Sequence, residues 1–223
     1  MTMIVTTENE LKRIAAPSLP LAPQQYESRY QDQFANVLRL YFNRLDEFIT
    51  RFNTGSGSID GSGLRLPYGA FQDSTDQVAA STTVAYPVTF DTTDFSNGVT
   101  VASGSRITVA NAGLWNLQFS IQLVNTTNAT HDVDIWFRVN GTDMPASNSR
   151  FGLAPRKSAG DPYHIIAALN YFVSLNATDY VEIMWRTNDV GIYIEHYPVS
   201  ASPTRPAIPS AIVTMSFVSA LPP

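Results

Sequence analysis

Chemistry would have to start from few side chains. His131, His164 and His196 are the only histidines. Nucleophilic catalysis needs a nucleophile, a base and a group to orient the base, and no nucleophile-elbow run lies near any of the three. Each is expected as a surface or partly buried polar residue. Asp132 and Asp134 stand two apart in a strand-like pattern and so share a face. Paired carboxylates hydrolyse glycosides when they flank a cleft about 5 to 10 Å across, and hold calcium when an oxygen-rich loop accompanies them. The alternation turns this pair outward and no such loop follows, so a solvated strand edge is expected. Arg150, Arg156 and Lys157 form a basic group between Ser147 and Asp161. Long loops on rigid sandwiches often carry recognition, and this one is the expected contact surface for an anionic sugar or an acidic patch on a partner. The glycines between Gly55 and Gly63 lack the Gly-Lys-Ser/Thr ending of a phosphate-binding loop and follow a helical pattern, which makes them a hinge. No catalytic residue, metal ligand or cofactor site emerges, and the chain is read as a non-enzyme.

Composition narrows the partners. The 223 residues are 44% hydrophobic and 15% charged, as in a chain that folds, and the size allows one core with an appendage. A net charge of -5 with only two lysines, Lys12 and Lys157, leaves no basic face for nucleic acid. Without cysteine, disulfides and thiolate metal sites are excluded. Neither a secretory signal nor an apolar run of about 18 residues is present, so no signal peptide and no membrane insertion are expected. On that reading the sequons at Asn125, Asn128, Asn140 and Asn176 are chance occurrences.

Four segments follow one another. Residues 1–23 carry Pro17, Pro20 and Pro23 with Leu19 and Leu21 between them, a spacing that favours an extended arm able to lie along another protein. In residues 24–53, Phe34, Leu38, Tyr41, Leu45, Phe48 and Phe52 recur at alternating steps of four and three, the seam of an amphipathic helix. Val37, Leu40 and Ile49 broaden the apolar face. A helix of this length spans about 45 Å, more than a small β domain covers, so self-association is expected. Residues 54–63 are a Gly/Ser hinge, and residues 64–223 a β domain. Its clearest strand is Trp115–Leu123, with apolar odd positions and polar even ones, and Val133–Val139 repeats the pattern before an Asn140-Gly141 turn. Further strands are predicted at Thr82–Phe90, Ser105–Ala110, Tyr163–Leu175, Tyr180–Arg186, Gly191–Tyr197 and Ala211–Val218. In Tyr163–Leu175 both faces are apolar, with Ile165, Leu169, Tyr171 and Val173 on one and Ile166, Ala168 and Phe172 on the other. A strand of that kind predicts a subunit interface.

The blocks Gly98-Val-Thr-Val, Ser105 through Leu123, Asp132 through Thr142, Asn170 through Trp185 and Thr204 through Met215 together resemble the tumour-necrosis-factor/C1q-like jelly rolls of phage virion proteins, over roughly residues 80–220. The resemblance implies an antiparallel jelly-roll β-sandwich and a homotrimer. In it, the helix forms a trimeric stalk and Ile165, Ile166, Leu169, Tyr171, Phe172 and Val173 pack toward the threefold axis. It also implies that Pro17, Leu19, Pro20, Leu21 and Pro23 fasten the knob to the particle. The expected role is capsid decoration or cement, bound to the major capsid protein or another virion protein and made in the host cytoplasm. The alternative is a short tail fibre or receptor-binding tip that recognises a host-surface glycan.

Overall fold

A computed structural model describes residues 17–21, 25, 27–54 and 66–221, with the backbone alone at 48 and 50–54. The chain divides into two units, Met1–Arg65 and Leu66–Pro223.

In the first unit, residues without a glycine or proline form one helix, α1, Ser28–Thr54. The glycines that begin at Gly55 cannot sustain it cheaply. Thr54, expected to open the hinge, is its last residue, and the rest of the hinge lies outside the described residues. The seam side chains Phe34, Leu38, Tyr41 and Leu45 are half-buried, while Leu40, Phe42 and Ile49 are exposed. Those of Phe48 and Phe52 lie outside the described set. Residues 17–21 are neither helix nor strand.

The second unit is an antiparallel β-sandwich. Its first half holds β1 (Tyr68–Asp73), β2 (Gln77–Val78), β3 (Tyr86–Pro87), β4 (Thr92–Asn97), β5 (Val99–Ala102), β6 (Arg106–Val109), β7 (Gly113–Asn125) and β8 (His131–Val139). The second half holds β9 (Thr142–Asp143), β10 (Ser149–Leu153), β11 (Tyr163–Leu175), β12 (Tyr180–Thr187), β13 (Ile192–Ile194), β14 (Ser200–Ala201), β15 (Thr204–Arg205) and β16 (Ala211–Ser219). One sheet runs β2-β13-β7-β16-β1-β4 with β11 on the other side of β7. The facing sheet runs β10-β8-β12-β6-β5, with β3 beside β12 and β9 beside β8. The pairing is nested: β1 with β16, β6 with β12, β7 with β11, and β8 with β10.

Alternation explains the layers. Trp115, Leu117, Phe119, Ile121 and Leu123 of β7 turn inward to meet Val133, Ile135 and Phe137 of β8 and Val181, Ile183 and Trp185 of β12 in one buried cluster. Each fully buried side chain of this size contributes about 1.5–3 kcal/mol. The mainly β sandwich preceded by a long helix, expected from the sequence, is the architecture that forms. The Asn140-Gly141 turn has positive φ at both residues, 49° and 81°, and joins β8 to β9. Three expectations need correction. Thr82–Phe90 forms only the two-residue β3, where Pro87 has no amide to extend the ladder. Gly191–Tyr197 shortens to β13. The Ser147–Asp161 loop contains a strand, β10, paired over its whole length with β8.

Gly113 opens β7 where no side chain fits. A Cβ there would lie 2.2 Å from Phe217 Cε2 and 2.9 Å from the Ser219 carbonyl oxygen, and the Phe217 ring is held edge-on to Trp115 at 5.4 Å. Gly113→Ala should therefore lower the unfolding free energy by about 1–3 kcal/mol, read from the urea midpoint. An unchanged midpoint would mean that Phe217 swings clear at no cost.

Candidate functional site

The acidic pair on β8 divides. Asp134 faces outward, as expected, yet it is only 4% exposed, because two arginines from the flanking strands lie over it. Register sets this up, since Arg150 of β10 and Arg186 of β12 are both directly opposite Asp134. Arg150 Nε and Nη2 donate to the two carboxylate oxygens at 2.8 and 3.2 Å. Arg186 Nε donates to Oδ2 at 3.0 Å, with Nη2 at 2.9 Å from the same oxygen. The Arg150 hydrogen bond, followed by that of Arg186, holds the Asp134 carboxyl below its ordinary value of 3.8 against the opposing effect of burial. The expected solvated strand edge is thus a three-strand charge clamp.

The three basic residues of the expected recognition loop are held in different ways. Arg150 is committed to this clamp, Arg156 is partly buried with its amide donating to the Thr127 carbonyl, and Lys157 pairs with Asp161 at 3.9 Å. Asn125, one of the sequons, is fully buried, and its amide donates to the Ala129 and Ala154 carbonyls at 2.8 Å. A glycan has no room there.

Histidines that look isolated in sequence are not isolated in space. Pairing of β11 and β13 with β7 puts His164 and Tyr193 on either side of Val124. His164 Nδ1 lies 3.2 Å from Glu195 Oε2, and its Nε2 is 3.3 Å from the Tyr197 hydroxyl. The Tyr193 hydroxyl donates to Glu195 Oε1 at 3.4 Å, and the Arg205 guanidinium sits 5.5 Å from the Tyr197 ring centre. The order phenol, imidazole, carboxylate has the connectivity of a catalytic relay, but its electrostatics oppose that use. Burial first, then the Glu195 carboxylate, push the Tyr197 phenol up to about 12, away from an ionised nucleophile. His131 is likewise engaged, with Nδ1 3.2 Å from Asn188 Oδ1 and Nε2 3.6 Å from Asp189. Among the described residues, no cluster of three or more acidic or histidine side chains could hold a metal ion.

What remains open is apolar and lies on strands. β11 turns Ile165, Leu169, Tyr171 and Val173 toward the core, so four of the six residues expected at a subunit interface pack inside the sandwich. Ile166 and Phe172 face out, 57% and 54% exposed. They share the outer face of their sheet with Tyr68 of β1, Phe95 of β4 and Ile212 of β16. Thirteen residues long, β11 is paired among the described residues only to β7, and in place of charged residues it carries one histidine.

In the first unit, Ser18, Leu19 and Pro20 line a shallow groove together with Gln33, Asn36 and Val37 of α1, while Leu21 is 94% exposed. This places the arm residues Leu19 and Pro20 beside the helix. Pro17 is partly buried, and Pro23 lies outside the described residues.

The chain matches no protein-family model, and a search of curated proteins finds no similar protein.

The clamp makes a signed prediction. Because the folded carboxyl of Asp134 titrates below its unfolded value, its contribution is complete above about pH 4 and is lost as pH falls through the folded value. Asp134→Asn should cost about 1.5–3 kcal/mol at pH 7 and flatten the decline of stability below about pH 4. Equal acid slopes for the two proteins would show that Asp134 has no part in acid unfolding.

Proposed function

We propose that this chain is a homotrimeric structural protein of a bacteriophage particle, a capsid decoration or cement protein whose helix associates, whose arm anchors and whose β unit forms the knob. The observation that carries the reading is β11. Natural sheets blunt their edges with charge, proline, bulges or short strands, because an unpaired row of amides and carbonyls invites another chain. Among the described residues the second edge of β11 has no partner strand, and the strand has no proline and no charge beyond His164, with exposed Ile166 and Phe172 on the adjoining face. An edge of this kind fits a contact that is always made. The helix supports the same reading, since Leu40, Phe42 and Ile49 leave a wide apolar surface in water.

The number three and the particle come from the resemblance to phage jelly rolls. Nested pairing of β1 with β16, β6 with β12, β7 with β11 and β8 with β10 supports it, because a jelly roll is one long antiparallel hairpin wrapped into two sheets. Three arms on one trimer would bind cooperatively, each raising the effective concentration of the others.

Light scattering on the purified chain should give three chain masses, and Ile166→Asp with Phe172→Asp, or Leu38→Asp with Leu45→Asp, should shift the population toward smaller species. A wild-type monomer would end the trimer reading. In purified particles the protein should be present in hundreds of copies, counted by mass spectrometry against the major shell protein; a few tens would place it at the tail or at a unique vertex.

A further inference from the structure

We infer that a groove on the outer face of the β1–β16–β7 sheet binds a neutral saccharide. The groove encloses about 300 Å³, the lower end of small-ligand sites. Two polar rungs form its floor, Thr214 opposite Gln118 and Ser216 opposite Asn116, set by the register of β16 on β7. Tyr68 and Phe95, 45% and 67% exposed, flank these rungs with aromatic surface.

The lining contains no charged side chain. Carboxylate, sulfate and phosphate groups are recognised through arginine or lysine, which this groove lacks. Its two amides and two hydroxyls can each both donate and accept, matching sugar hydroxyls, and the rings match the apolar C–H faces of a pyranose. None of these four side chains forms a hydrogen bond with another described residue. Asn116 Oδ1 is shielded from solvent and has no partner, an unmet acceptor of the kind that native structures rarely leave. Rotation about a carboxamide χ2 is soft, so a hydroxyl donor in the groove can capture it. A peptide added as a strand would instead need main-chain groups at a sheet edge, whereas this groove presents side chains on a sheet face.

The inference does not rest on trimer formation, whose free edge belongs to β11. It is tested on the full chain by saturation-transfer NMR with methyl glycosides of glucose, galactose, mannose and N-acetylglucosamine, with maltotetraose, and with sialyllactose as the charged control. At least one neutral saccharide should bind. Its affinity should fall about tenfold in Phe95→Ala and in Gln118→Ala while remaining unchanged in Val190→Ala, an exposed apolar residue outside the groove lining. Thermal midpoints of the variants check that the fold is intact, and the two independent groove variants keep the test decisive if one of them is unstable. Silence from every neutral sugar overturns the inference, as does equal binding of sialyllactose through its acid group. Dissociation of an oligomer by Phe95→Ala also overturns it, by making the groove a contact between copies. A monomer that binds a neutral sugar leaves this inference standing and removes the trimer alone.

Discussion

A strand in the middle of a sheet must have its backbone groups hydrogen-bonded along both edges, since a buried amide or carbonyl left unpaired costs about as much as a lost hydrogen bond. β7 imposes that constraint on the whole second unit. Its thirteen residues are matched one for one by β11 on one side. The other side is shared end to end by β16, from Leu114 to Ile121, and β13, from Leu123 to Asn125. The strand ends are closed by side chains: Asn125 gathers the Ala129, Leu153 and Ala154 carbonyls where β7 leaves the sheet. With β7 fixed in this way, its odd residues have one direction in which to point, and the core follows.

The same accounting separates the edges of the sandwich. β10 and β5 are short, at five and four residues, and β10 carries Arg150. β4 is richer in polar side chains, includes Asp94, and pairs with β1 through a register shift between Ala70 and Phe71. These are ordinary ways of discouraging a stray strand. β11 uses none of them.

Legibility in the sequence follows how local the cause is. The period-two runs of β7 and β8 and the Asn140-Gly141 turn are fixed by neighbouring residues, and they appear in the structure much as the sequence predicts. β4, Thr-Thr-Asp-Phe-Ser-Asn, has no buried side chain, so no alternation could announce it. β10 is brief and interrupted by Gly152. The two charged networks depend on register between distant segments. Asp134 meets Arg150 and Arg186 from strands 16 and 52 residues away, and His164 meets Tyr197 across 33. The Glu195-His196-Tyr197 run falls at the end of the strand predicted over Gly191–Tyr197, and nothing local in it names His164 as a partner. The two faces of β11 were legible as apolar, but which of them belonged to the core depended on the sheet it joins.

The loop expected as a recognition surface has a practical side. Lys157, its side chain 77% exposed, is the only lysine in the Leu66–Pro223 unit. An amine-directed label applied to that unit within the intact chain therefore has a single ε-amino target. A dye or surface tether attached there would report from one defined position, and arginine, which supplies the other cations, would stay unmodified.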